Sequence, residues 1–160
     1  MLDWKPLQET TLSPQRHLEL LLECKAVLEA EGMADMDEYG DMLKWGLPKK
    51  DGWTRNMHVF HPGMSDFSDQ YYGTIHYHGG AIRGNILLGG MEHSIYEATP
   101  DPKGDRFHGG APHLLREVMR VQTAGTAYEL PARVPHWIKP TSLTLTYFEE
   151  EDTEEMGDLV

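Results

Sequence analysis

Cysteine is almost absent from this chain: Cys24 is the only one in 160 residues. One thiol cannot close an internal disulfide, which excludes a cystine-stapled scaffold and fits a reducing, cytoplasmic setting. Cys24 shares helical spacing with Leu20, Leu21, Val27 and Leu28, so core packing is its expected role. Long apolar runs are also missing, and no membrane-spanning segment is expected. The opening MLDWKPLQET has neither a basic start nor an apolar stretch, so no signal peptide is expected. Positive charge is scarce, with 14 Lys and Arg against 26 Asp and Glu and a formal net charge of −12. No basic stripe exists, which excludes a nucleic-acid binder. Much of the imbalance is local. EEEDTEEMGDLV, at the C-terminal end, holds seven acids and no base; without them 19 acids face 14 bases. Residues 151–160 are therefore expected to form a solvated, disordered acidic tail.

What the chain does have divides near residue 50. Residues 13–31 read as a helix, with Ser13 as N-cap and Pro14 in the first helical position. A weaker helical segment is expected from Asp37 to Trp45, so residues 1–50 form a helical segment packed outside the main domain. From about Thr54 the texture changes to short runs bounded by Gly, Pro, Asn and Asp: residues 53–60, 71–78, 84–88, 91–97, 115–122, 126–130 and 143–150. Gly89-Gly90 reads as a hairpin between two of them. Segments of this size without a βαβ rhythm predict an all-β fold, an antiparallel sandwich or barrel over residues 51–150. Residues 98–113 read as a loop, in which His108 and His113 are exposed or close over a pocket.

His76 and His78 lie in GTIHYHGGAIRGNILLGG, residues 73–90. On a strand they share a face, with Tyr77 turned away. Neutral imidazole is the commonest metal ligand, although an HxH pair alone fits structural or surface histidines as well. The surroundings sharpen the reading. After His78 come four residues, Arg83, six residues and Gly90; downstream, Gly125 is followed by five residues, Pro131, and then His136. This resembles the two motifs of the cupin superfamily: HxH, three or four residues, Glu, six residues, Gly; then Gly, five residues, PxG, two residues, His, three residues, Asn. The resemblance implies a double-stranded β-helix, a small barrel in which His76, His78 and His136 hold one metal ion. Three positions depart from the pattern. Arg83 stands in place of the Glu ligand, Arg133 in place of the glycine, and Pro140 in place of the asparagine. Arginine cannot ligate a cation, so the ligand set is three neutral imidazoles. Such a site leaves the charge of the ion uncompensated and several positions open, which suits an anionic chelating substrate, and dioxygen if the ion is iron(II). Zinc also accepts three histidines and a water.

Within the cupins, the chain is most similar to the thiol dioxygenases, which use three histidines. Trp53-Thr54-Arg55-Asn56 is similar to their Y-T-R-N phrase, and Ile75-His76-Tyr77-His78-Gly79-Gly80 to their IHxHGG phrase. The resemblance implies that Arg55 binds a substrate carboxylate beside the iron, and a guanidinium forks well onto a carboxylate. It also implies a catalytic tyrosine, Tyr147. The Ser and His that precede that tyrosine in the family fall here on Leu143 and Leu145, which weakens the case for cysteine as substrate. Arg83 is assigned to an anionic substrate or to a carboxylate across the sheet. His58 and His61 are expected to face solvent or a turn, with the pocket mouth as the alternative, and His93 to pack.

The function expected is thus a non-haem iron(II) dioxygenase acting on a small carboxylate-bearing substrate, a thiol among the candidates. Zinc, nickel or manganese are the other metals considered. The alternatives are a metal-dependent isomerase or lyase that does not use dioxygen, and a non-catalytic small-ligand-binding cupin. The partners are a small molecule and dioxygen, and by analogy a second copy in a homodimer.

Overall fold

The computed structural model describes residues 5–31, 35–36, 42–61, 75–98, 114–153 and 158–159. Helix α1 spans Pro14–Glu31. Ser13 caps it, its Oγ accepting from the backbone N–H of Arg16 at 3.1 Å, as the sequence predicts. Leu20 and Cys24, one turn apart, are buried, with Leu21 and Val27 beside them. They pack on Trp45, Leu47, Met57, Leu87 and Tyr147 of the sheet beneath. Burial, and then the charge of Glu23, push the Cys24 thiol up to about 11. It is a packing residue, because the thiolate is the reactive form.

Among the described residues the strands are, in order, β1 (Gln8–Thr11), β2 (Asp35–Met36), β3 (Met42–Lys50), β4 (Trp53–Phe60), β5 (His76–Tyr77), β6 (Ile82–Leu88), β7 (Gly90–Ala98), β8 (Leu114–Thr123), β9 (Thr126–Leu130), β10 (His136–Pro140), β11 (Thr144–Glu151) and β12 (Asp158–Leu159). They form a seven-stranded sheet, β1-β9-β6-β11-β4-β3-β2, and a five-stranded sheet, β12-β5-β10-β7-β8, with antiparallel pairing in both. Alternation sorts the side chains of the larger sheet. Met42, Phe60, Ile82, Ile86, Tyr128 and Phe148 face the smaller sheet and form the core with Met91, Ile95 and Ile138. The intervening residues, Trp45, Met57, Leu87 and Tyr147 among them, face α1.

Four expectations change. Met42–Trp45 begins strand β3 instead of ending a helix, while residues 37–41 lie outside the described residues. Pro48 is accommodated because the β3–β4 register shifts between Leu47 and Lys50. The strands therefore begin well before residue 51, since β1, β2 and β3 belong to the larger sheet. Gly89-Gly90 is no hairpin: β6 and β7 lie in different sheets, and Gly89, at φ 76°, turns the chain from one to the other. Nor is the C-terminal end wholly solvated. Glu151 completes β11, Asp152 pairs with Lys49 at 3.2 Å, and Asp158–Leu159 pairs with β5. No described helix is long and apolar enough to cross a membrane.

Candidate metal centre

Strands β5 and β10 run antiparallel with His76 directly opposite His136. Cross-strand partners bring their side chains together, and the two ring centroids lie 4.6 Å apart. His78, two residues beyond His76, shares its face and lies 5.2 Å from each of the other rings. The ligand-capable atoms of the three all fall within 4.8 Å of one another. A backbone bond fixes this corner. Arg133, at φ 66°, holds the left-handed conformation that glycine favours, and its N–H donates to the carbonyl of His78 at 2.9 Å.

His76 and His136 are almost fully buried, and His78 is half-buried. His136 is held well below its ordinary pKa, first by burial and then by His76, His93 and His78. The ring is therefore neutral, as a ligand must be. Its Nε2 is buried and has no hydrogen-bond partner among the described residues. An orphaned imidazole nitrogen within ligand distance of two further histidines fits a cation, which supplies the missing partner. No carboxylate joins the group among the described residues; Glu150 instead approaches Nδ1 of His78 at 3.3 Å.

The rings open onto a cavity of about 70 Å³ between the sheets. Its floor is Met91, Tyr128 and Ile138, and its half-exposed rim is Lys44, His78 and Glu150. Asn56, His58, Thr146 and Phe148 form the wall from the larger sheet. Among the described residues no ion pair reaches Lys44, which stands opposite His58 in the β3–β4 register. The His58 ring stacks on Phe148 at 5.1 Å, and its buried Nε2 has no partner.

The structure separates the predicted site residues. It brings His76, His78 and His136 together. Arg55 and Tyr147 also meet, but on the far side of the sheet, under α1. The Arg55 guanidinium donates to Tyr147 Oη at 2.7 Å, to Glu23 Oε1 at 2.8 Å and to the carbonyl of Pro48 at 2.6 Å. The reason is parity: Asn56, His58 and Phe60 point inward, so Arg55 points out, and on β11 Thr146 and Phe148 point inward, so Tyr147 points out. Neither lines the histidine cavity. Arg83 is outward too, 3.9 Å above the Trp53 ring and 3.0 Å from Glu129 Oε1, which answers its alternatives with a carboxylate across the sheet. His58 was expected at a solvent-facing or turn position, with the pocket mouth as the alternative, and it lines the cavity. Its alternation with Phe60 was the available signal. His61 is exposed, His93 is buried as expected, and His108 and His113 lie outside the described residues.

Burial, then Lys44 and His78, push His58 down to about 3, against an ordinary 6.5. The folded chain thus binds fewer protons than the unfolded one, and the contribution of His58 is present above pH 6.5 and lost as pH falls toward 3. Between pH 7 and pH 5 this one ring is expected to cost about 2 kcal/mol of stability. Urea midpoints of the metal-free protein at both pH values check this: the His58→Phe variant should lose correspondingly less on acidification.

In its fold the chain is similar to oxalate decarboxylase from Bacillus subtilis. The structure described with the Mn(II) centres of that enzyme matches with a TM-score of 0.52 and 11% identity, over 84% of this chain and 31% of the other. The structure of the enzyme at pH 4.6 matches with a TM-score of 0.51 and 12% identity, over 84% and 30%. A cupin-like protein from Thermotoga maritima aligns with 14% identity over 74% of this chain and 75% of its own, at a TM-score of 0.46. This chain thus spans about a third of the length of the decarboxylase chains. No family model matches the sequence, and no curated protein matches it. The architecture is that of a cupin β-barrel, with a three-histidine group able to hold a metal ion inside it.

Proposed function

We propose that the protein is a mononuclear iron(II) dioxygenase that oxidises a small carboxylate-bearing substrate, with His76, His78 and His136 as metal ligands. The observation that carries the reading is the three-imidazole group, two of its rings buried and no carboxylate joining it among the described residues, facing a cavity between the sheets. A bound ferrous ion would supply open coordination positions and the electrons that activate dioxygen. The chain supplies the rest. Three neutral ligands leave the site cationic, and Lys44 adds a second positive charge at the rim, so an anionic substrate is drawn in and oriented. His58 offers an unpartnered nitrogen, and Asn56 and Thr146 offer further hydrogen bonds. Met91, Tyr128, Ile138 and Phe148 exclude water. A cavity of about 70 Å³ limits the substrate to a few heavy atoms. Both oxygen atoms end on the substrate, so no external reductant is required. The likeness of IHYHGG to the thiol dioxygenases supports a thiol among these substrates, with Lys44 in the role the sequence assigned to Arg55.

Oxygen uptake by the iron(II)-loaded protein over a panel of small carboxylates, with and without a thiol, tests the proposal. Uptake coupled to one of them is expected, and none with any would sink it. Lys44→Met should raise the half-saturating concentration of the active carboxylate at least about tenfold, as the loss of a charge-assisted contact does. Arg55→Met should leave it unchanged, because Arg55 lies outside the cavity.

A second reading has its own support. Glu150 lines the cavity beside His78 and could accept a proton, which a metal-dependent isomerase or lyase requires. Turnover under anaerobic conditions would identify that activity.

A further inference from the structure

His93 is fully buried, and both its ring nitrogens are engaged. Nε2 lies 2.7 Å from Nδ1 of His136, and Nδ1 lies 3.1 Å from Oε1 of Gln122. Gln122 in turn donates its Nε2–H to Oε1 of Glu9, also at 3.1 Å. The row runs from an exposed residue on β1, the edge strand of the larger sheet, through β8 and β7 to β10. It therefore joins the molecular surface to a candidate metal ligand.

The direction of every bond follows from the outer end. A carboxylate only accepts, so Gln122 turns its NH₂ toward Glu9 and its carbonyl toward His93. A carbonyl also only accepts, so Nδ1 of His93 carries the proton of that neutral ring and Nε2 carries a lone pair. Two ring nitrogens at 2.7 Å share one proton, so Nδ1 of His136 is the donor. The lone pair of His136 is then on Nε2, the buried atom that has no partner among the described residues. The opposite order, with the proton on Nε2 of His136, would bring two lone pairs together at Nδ1 and leave no electron pair for a cation.

We propose that Glu9, Gln122 and His93 are positioning residues that fix His136 in its Nδ1–H form and aim its Nε2 lone pair at the metal position. The proposal rests on the metal-centre reading of His76, His78 and His136. Outer partners of this kind orient a ligating imidazole, and their loss weakens metal affinity about 10–100-fold. Here the partner of the ligand is itself an imidazole, and the carboxylate that sets the order lies two side chains further out.

Long-range proton–nitrogen correlation spectra of the metal-free protein read the tautomers directly. Nδ1–H is expected for both His93 and His136; Nε2–H at His136 overturns the proposal. Two variants then test the row from outside the cavity. Gln122→Met removes the acceptor for His93, and a 10–100-fold loss of Co(II) affinity is expected, followed by the visible absorbance of the ion. Glu9→Gln replaces an exposed acceptor with a group that can also donate, and a mixture of tautomers at His136 is expected. Wild-type tautomers and wild-type Co(II) affinity in both variants would overturn the proposal. If the wild-type protein shows the expected tautomers but takes up no Co(II), the metal-centre reading fails and the hydrogen-bond order stands.

Discussion

The His136→Ala protein is expected to lose stoichiometric metal binding altogether, while the wild type takes up one ion per chain. Removing one of three imidazoles leaves two ligands, both on or just beyond β5, and nothing from β10 to close the group. The effect reads out as thermal stability as well as metal content. A ligand at one hundred times its dissociation constant stabilises the folded state by about 2.7 kcal/mol. For a chain of this size that corresponds to a rise in melting temperature of roughly 5–10 °C. The wild type should show that rise on addition of Co(II) or Zn(II), and the variant should show none. The metal-free variant will also be less stable than the metal-free wild type, since Nε2 of His93 loses its partner. The comparison is therefore made within each protein, with and without the ion. A variant that keeps both its metal content and its thermal response would remove His136 from the site.

The second large effect is steric. Gly84 and Tyr128 are directly opposed in the β6–β9 pair, and the Tyr128 ring lies flat across the glycine. A Cβ at residue 84 would stand 2.2 Å from two ring carbons, far inside any allowed contact. The Tyr128 ring is also packed edge-on against His93 at 4.8 Å, so moving it aside disturbs that contact. Gly84→Ala is expected to cost about 3 kcal/mol, the upper range for overpacking a dense core. Equilibrium urea denaturation measures it. In a Tyr128→Leu background the alanine should cost less than half as much, because the clashing ring is gone. Equal costs in the two backgrounds would place the strain elsewhere.

The ligands could be read from the sequence because their geometry is local. Two histidines separated by one residue must share a face, whatever the strand pairs with. His136 entered through the resemblance of Gly125 to His136 to the second cupin motif, and the β5–β10 register brings it to His76. Arg55 and Tyr147 were misplaced for a different reason. Strands β4 and β11 are covered on both faces, by the barrel core on one and by α1 on the other. The inward phase of these strands is largely polar, with Thr54, Asn56, His58, Thr144 and Thr146, while Met57, Val59, Leu145 and Tyr147 on the other phase are apolar against α1, so hydrophobic alternation does not say which phase faces the cavity. The phrase WTRN carries an arginine but no indication of side. His58 was hidden by the same ambiguity. The start of strand β3, Met42–Trp45, was read as the end of a helix, because the strand is fixed by pairing with β4 through contacts that are remote in sequence. The row from Glu9 to His136 draws one residue from each of four strands and has no sequence signature at all.

The two sheets divide the labour of the cavity. The ligating imidazoles come from the smaller sheet or the residue just after its β5 strand, whereas Lys44, Asn56, His58, Thr146, Phe148 and Glu150 come from the larger. Ion and substrate are therefore addressed by separate pieces of backbone. On the proposed function, inward-facing positions on β3, β4 and β11 can be rewritten to admit a different acid without touching the three-histidine group, so one metal chemistry could be retuned from guest to guest.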